Sequence, residues 1–383
     1  MINTPITPDI VRGAAGLETT ERGVRPHRLP KWVREQFPDP QLMQVESQPS
    51  GIRLVFSTSA RTVELVSHST RIGYRGADRP RGHVDLIVDG EPHASDTMGE
   101  GDVIEIDLAT GTRENRPGGP HTSTFAGLAP GDKLMELWLP HNESVELTAI
   151  RTDAAIKAVA SSAPRWVHHG SSISHGSNAS TPIQIWPAIA ARRGEVDLHN
   201  LGFGGSALVD PFVARVIRDT PADFISIKLG INVVNLDSMR LRAFVPAVHG
   251  FLDTIRDAHP ETPLVLISPI FCGIHEDTPG PGSVDPASLA TDQVRFIATG
   301  RAEEVQFGRL TLRVIRDALA SLAERRAADT NLHYLDGTRL YGEVDAIDHP
   351  LPDALHPDTA THRLIGERFA EYAFSAGGPF APR

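Results

Sequence analysis

The chain has 383 residues, too long for one typical domain and comfortable for two, and at 40% hydrophobic and 22% charged it has ordinary globular composition with enough apolar residues for a sizeable core. A net charge of −11 with no Lys/Arg cluster argues against a nucleic-acid surface. One cysteine, Cys272, excludes an intrachain disulfide, and no leader pattern or apolar run of the ~20 residues a membrane span needs is present, so a cytoplasmic protein without a membrane partner is expected.

Residues 1–45 are Pro-rich and read as an irregular segment with one short helix around 31–37. From about 50 to 152 the segments "IRLVFSTS", "TVELVSH", "HVDLIVDG", "DVIEIDL", "KLMELWLP" and "SVELTAI" alternate apolar and polar residues with period two. Turn chemistry separates them, as at Asp89-Gly90 and Pro130-Gly131-Asp132. Short strands at this spacing with no helix between them predict an antiparallel, jelly-roll-like β-sandwich over 46–160.

Beyond 160 the period changes. "RWVHHG", "EVDLHNLG", "DFISIKLG", "PLVLISP" and "LHYLDG" read as strands, separated by helices expected near 182–192, 208–218, 239–258 and up to about 326. "TATHRLIGERFAEYAF" reads as a final amphipathic helix, and 274–292 as an irregular insertion. Alternating strands and helices over 161–383 predict an α/β domain, a parallel sheet with helices on both faces. Ligands of such sheets bind at the carboxyl ends of the strands. Small or polar residues stand there: Gly170, residues 202–206, Gly230 to Asn232, and Ser268. Cys272, in an apolar run, reads as a buried inert thiol.

The stretch "WVHHGSSISHG" places Ser171, Ser172 and Ser174 between a strand and a helix start. A hydroxyl there is exposed to the crevice, beside N–H groups that suit an oxyanion. A hydroxyl nucleophile needs a base, and the base an orienting acid. "DALHPD" supplies both: Asp353 can fold back onto Nδ1 of His356 and leave Nε2 free. The nearby pair Asp348-His349 is poorly placed, because adjacent side chains diverge. Glycines 202, 204 and 205 offer unshielded N–H groups, and Asn232 a side-chain amide, as oxyanion donors. A nucleotide-binding turn at the same glycines lacks its third glycine, where Ala207 stands. No histidine has metal-ligand spacing, and His168 and His169 read as core or surface residues. The "HED" at 275–277 opens an insertion that is either a surface loop or a flap over the site.

These residues resemble the SGNH, or GDSL-type, hydrolases. Gly170-Ser171-Ser172-Ile173 looks like the family's first block, which implies Ser172 as nucleophile. Asn200 to Gly205 is similar to the second block and implies the Gly205 N–H as an oxyanion donor, together with Ser172 N–H. Gly230-Ile231-Asn232 matches the third block until Val233 replaces its aspartate, and Asp353 to Pro357 matches the last block completely. The resemblance covers about 164–375. It implies a flavodoxin-like fold and a Ser172–His356–Asp353 triad that forms an acyl-enzyme without metal or cofactor. The two-domain plan resembles carbohydrate esterases, and also actinobacterial GDSL acyltransferases that place salicylate on a tetracycline scaffold. Transfer from an acyl-CoA donor to a hydroxylated small molecule is therefore the expected reaction, and ester hydrolysis the alternative. Phe203, Trp186, Phe212 and Phe271 are candidate linings for an apolar acceptor pocket, or simple core. A binding protein with a decayed hydrolase domain is disfavoured because all three triad residues are present.

Overall fold

The alternating apolar residues of the first 160 positions pair into two sheets. The computed structural model describes residues 1–75, 79–107, 110–291 and 294–381. A sheet of eight strands includes Thr62–Tyr74, His121–Ala126 and Ser144–Thr152, and one of six includes Arg53–Thr58, His83–Val88 and Lys133–Trp138. Leu54, Phe56, Leu86 and Leu137 from the six-stranded sheet share one buried cluster with Val63, Leu65, Phe125 and Val145 from the other. The two sheets therefore face each other across a common core, which is a β-sandwich. The pairing is antiparallel, with one departure: Thr62–Tyr74 and Asp102–Ile106 run parallel.

The first 45 residues are not irregular. They supply the strands Ile2–Thr4, Val11–Arg12, Gly16–Thr20 and Gly23–His27 and the helices Lys31–Gln36 and Pro40–Glu46. These strands are short and add to sheets built elsewhere in the chain, so they carry too little alternation to be read. Glu91–Thr97 and Arg113–Arg116 escaped for a related reason: nearly every side chain on them is exposed, so burial writes no pattern into the sequence. The first compact unit comprises Met1–Ala163 together with Ser180–Gln184, where Ile183 N–H donates to Asp85 Oδ2 at 3.1 Å.

The second unit comprises Pro164–Ala179 and Ile185–Arg383. Its strands are β1 (Arg165–Gly170), β2 (Asp197–Gly202), β3 (Phe224–Lys228) and β4 (Leu264–Ile267), then the hairpin β5 (Gly282–Val284) and β6 (Phe296–Ala298), and last β7 (Leu332–Leu335). Its helices are α1 (Ser172–His175), α2 (Trp186–Arg193), α3 (Pro211–Asp219), α4 (Ile231–Asn235), α5 (Leu241–Arg256), α6 (Leu312–Arg325), α7 (Asp345–Asp348) and α8 (Thr359–Phe374). The main sheet is parallel, in the order β2-β1-β3-β4-β7. Counting only its own strands, that is the 2-1-3-4-5 order of flavodoxin-like sheets, whose ligands sit beside the first and third strands where the order reverses. Ser172 follows the first and Asn232 the third.

Helix α2 starts at Trp186 rather than near 182, since Pro182–Gln184 is a separate single turn and Pro187 suits a helix start. Trp186 is fully buried in a core with Trp166 and Phe369, and Phe203 is also fully buried, so neither lines an open pocket. The described part of the insertion is not wholly irregular: its strand β5 pairs antiparallel with β6, Val284 opposite Phe296. No helix among the described residues is long and apolar enough to cross a membrane.

Candidate active site

The nucleophile turn begins where β1 ends. Ser171 caps α1, its Oγ accepting from Ile173 N–H at 3.4 Å, and Gly176 ends the turn at φ 111°. The turn folds back tightly on the sheet. A Cβ on Gly202 would lie 2.5 Å from His175 N, and one on Gly170 2.3 Å from Ser174 Oγ. Only glycine permits these approaches. Ser172 is buried at 7% exposure. Ser174 does not face solvent: it is fully buried, because the short helix turns it inward onto His168.

His356, the expected base, comes from the far end of the chain. Asp353 Oδ1 accepts from the N–H groups of Leu355, at 2.9 Å, and His356, at 2.6 Å. Its Oδ2 accepts from His356 Nδ1 at 2.8 Å and from Asn178 Nδ2 at 3.1 Å. His356 Nε2 lies 2.9 Å from Ser172 Oγ. Burial alone would raise the Asp353 carboxyl; the hydrogen bond and charge of His356 and the two N–H donors outweigh it and hold the group below the usual carboxylate range. The loop closes through Ala354 at φ 66°, a left-handed conformation that costs an alanine roughly 1–2 kcal/mol. Three contacts hold it there: Ala354 N–H to Leu351 O at 3.0 Å, Cys272 Sγ to Ala354 O at 3.4 Å, and Phe296 N–H to Asp353 O at 2.9 Å.

The residues expected as oxyanion donors sit at neighbouring strand ends. Asn232 is buried and its Oδ1 accepts from Ala207 N–H at 3.1 Å, which fixes the amide orientation and leaves its NH₂ to donate. Gly205 adopts φ 72° in the turn after β2. The N–H groups of Ser172 and Gly205 have no hydrogen-bond partner within the chain among the described residues. Asn200 ties this strand end to the nucleophile turn: its Nδ2 donates to Ser174 O at 2.9 Å, and its Oδ1 accepts from Gly202 N–H at 3.0 Å.

The remaining candidates separate clearly. His349 lies outside this arrangement: its carbonyl accepts from Tyr341 Oη at 2.7 Å and its N–H donates to Asp345 O at 2.8 Å. His168 and His169 are fully buried. Cys272 is buried, and burial pushes its thiol up to about 12. Of "HED", His275 and Glu276 are buried, Glu276 pairing with Arg316, while Asp277 pairs with Arg313 at 2.8 Å on the surface. The sequence did not reveal Asn178 or Phe296. Asn178 lies 175 positions from the Asp353 it contacts. The Phe296 ring stands edge-on to His356, with centroids 5.6 Å apart and planes at 79°, through a hairpin that has no apolar period.

Residues 164–272 match the GDSL-like lipase/acylhydrolase family, and residues 10–148 match the N-terminal domain of SsfX3. The chain thus contains a segment of GDSL-like lipase/acylhydrolase type that follows an N-terminal domain of SsfX3 type. Among solved structures it is similar over its length to the salicylyl-acyltransferase SsfX3 from a tetracycline biosynthetic pathway. The identity is 27% and the TM-score 0.76, over 96% of this chain and 94% of that one. A protein described as a GDSL-like lipase from Bacteroides ovatus is 18% identical with TM-score 0.65, covering 94% of this chain and 93% of its own. A family two carbohydrate esterase from Clostridium thermocellum is 15% identical with TM-score 0.56, covering 84% and 90%. These last two share the fold. Comparison with curated proteins gave no match.

Proposed function

We propose that this GDSL-family enzyme works through an acyl-enzyme on Ser172, and that it transfers an acyl group to a hydroxyl of a small natural product. The observation that supports this most is the hydrogen-bonded series Ser172 Oγ, His356, Asp353, with 2.9 and 2.8 Å between its members. His356 Nε2 takes the Ser172 proton as Oγ attacks the acyl carbonyl. The N–H groups of Ser172 and Gly205 and the amide of Asn232 donate to the oxyanion. Collapse breaks the bond to the leaving thiol or alcohol, which receives the proton from His356. The acceptor hydroxyl then gives its proton to His356, attacks the acyl-Ser172 carbonyl and regenerates the serine. Asp353, held as a carboxylate, orients the ring and stabilises its charged form.

The choice of transfer rests on likeness to SsfX3 across both units; in that reading the donor is a CoA thioester and the acyl group aromatic. Ser172→Ala should abolish turnover of an activated aryl ester in a protein that still folds, and full residual turnover would discard the triad. Incubation with an aroyl-CoA, with and without polyphenolic acceptors, decides the reaction class. Acceptor-dependent CoA release with a new ester supports transfer; the same free acid in both arms establishes hydrolysis.

A further inference from the structure

His168, the first histidine of "WVHHGSSISHG", is fully buried on β1. Its ring spans two serines: Nδ1 lies 2.7 Å from Ser226 Oγ and Nε2 lies 2.8 Å from Ser174 Oγ. The Trp166 indole, a donor only, gives a further hydrogen bond to Ser226 Oγ at 2.9 Å. The Trp186 ring meets the imidazole edge-to-face at 4.6 Å. Burial, then the charges of His169 and Lys228, push the His168 pKa well below its ordinary value, against a hydrogen bond to the Ser226 backbone. A neutral imidazole accepts at one nitrogen and donates at the other, so the ring joins both serines in one polarised chain.

That chain ends on Ser174, two residues after Ser172. Helix α1 has four residues, too few to hold its own shape in water. Its placement must come from tertiary contacts. Ser174 receives two of them, His168 at its hydroxyl and Asn200 at its carbonyl. We propose that His168 is a positioning residue for the nucleophile, fixing the α1 turn through Ser174 so that Ser172 Oγ stays in line with His356 Nε2. The proposal rests on Ser172 being the nucleophile.

The geometry of the two ring nitrogens supplies the test. An asparagine amide overlays the Nδ1 position and keeps the Ser226 contact; a glutamine amide reaches the Nε2 position and keeps the Ser174 contact. The rate at which a fluorophosphonate probe labels Ser172, located by mass spectrometry, reports nucleophile placement directly; kcat and KM for an aryl ester and the Tm accompany it. His168→Asn and Ser174→Ala should each slow labelling about tenfold or more and lower kcat with little change in KM, while His168→Gln stays much closer to the parent. His168→Asn and His168→Gln should lose similar Tm, since each removes one buried contact. Equal labelling rates in the Asn and Gln variants, or losses that merely follow Tm, would overturn the positioning role. Absence of labelling at Ser172 in the parent protein would instead remove the nucleophile assignment, and the proposal with it.

Discussion

Two ionisable residues, Asp353 half-buried and Lys228 buried, carry opposite lessons about charge. Asp353 is kept ionised by what surrounds it, and its Oδ2 contact sets which nitrogen of His356 holds the proton. Asp353→Asn should preserve the fold yet lower kcat by roughly 10²–10⁴, because the amide can present its NH₂ to Nδ1 and select the wrong tautomer. Lys228, at the end of β3, is 2% exposed and makes no hydrogen bond or ion pair among the described residues; burial pulls its pKa down to about 8 from the ordinary 10.5. The unfolded chain therefore binds this proton more tightly, and stability rises with pH between about 8 and 10.5. Below that window the full cost remains. Lys228→Met should raise the unfolding free energy measured by urea titration at pH 7 by at most about 3 kcal/mol, and the gain should vanish near pH 10.5. An equal gain at both values would show that the charge was not the cause.

Among elements, the short ones matter most to the site. The α1 turn rests on backbone packing at Gly202, where an added Cβ would strike the backbone of Ser174 and His175 at 2.5–2.6 Å. Backbone cannot swing aside as a long side chain can. Gly202→Ala should thus displace the turn and reduce acylation about tenfold or more, with the helical signal by circular dichroism retained. The β5–β6 hairpin reaches both ends of the chemistry. Gly280, just before β5, sits against the carbonyl of Val234 in α4, the helix that carries Asn232. On the other strand Phe296 holds Asp353 O and faces His356. The segment read as a surface loop or a flap thus touches both α4 and the Asp353–His356 loop.

For the whole molecule, the notable fact is how the chain divides. Directly after the nucleophile segment it leaves the α/β unit, contributes Ser180–Gln184 to the sandwich unit, and returns at Ile185. A protein cut at residue 164 would leave those five residues without the unit they fold in, including the Ile183 N–H that Asp85 accepts. Residues 164–383 alone should therefore melt at lower temperature than the full chain and lose esterase activity. A fragment with undiminished Tm and turnover would show that the sandwich does not support the catalytic unit.

The sequence by itself determined the two fold classes, because a half-buried strand must alternate and a parallel sheet must interleave with helices. It also determined the base loop, since an acid three residues before a histidine in a tight turn can reach that ring, and resemblance then pointed to Ser172. The tertiary structure alone decided what holds these groups. Asn178 on Asp353, Phe296 on His356 and His168 on Ser174 act across space; the first two join residues far apart in sequence, and none leaves a period or spacing to read. The short strands of the first 45 residues were hidden likewise: their order comes from the sheets they join, and segments of two to five residues record no such pairing.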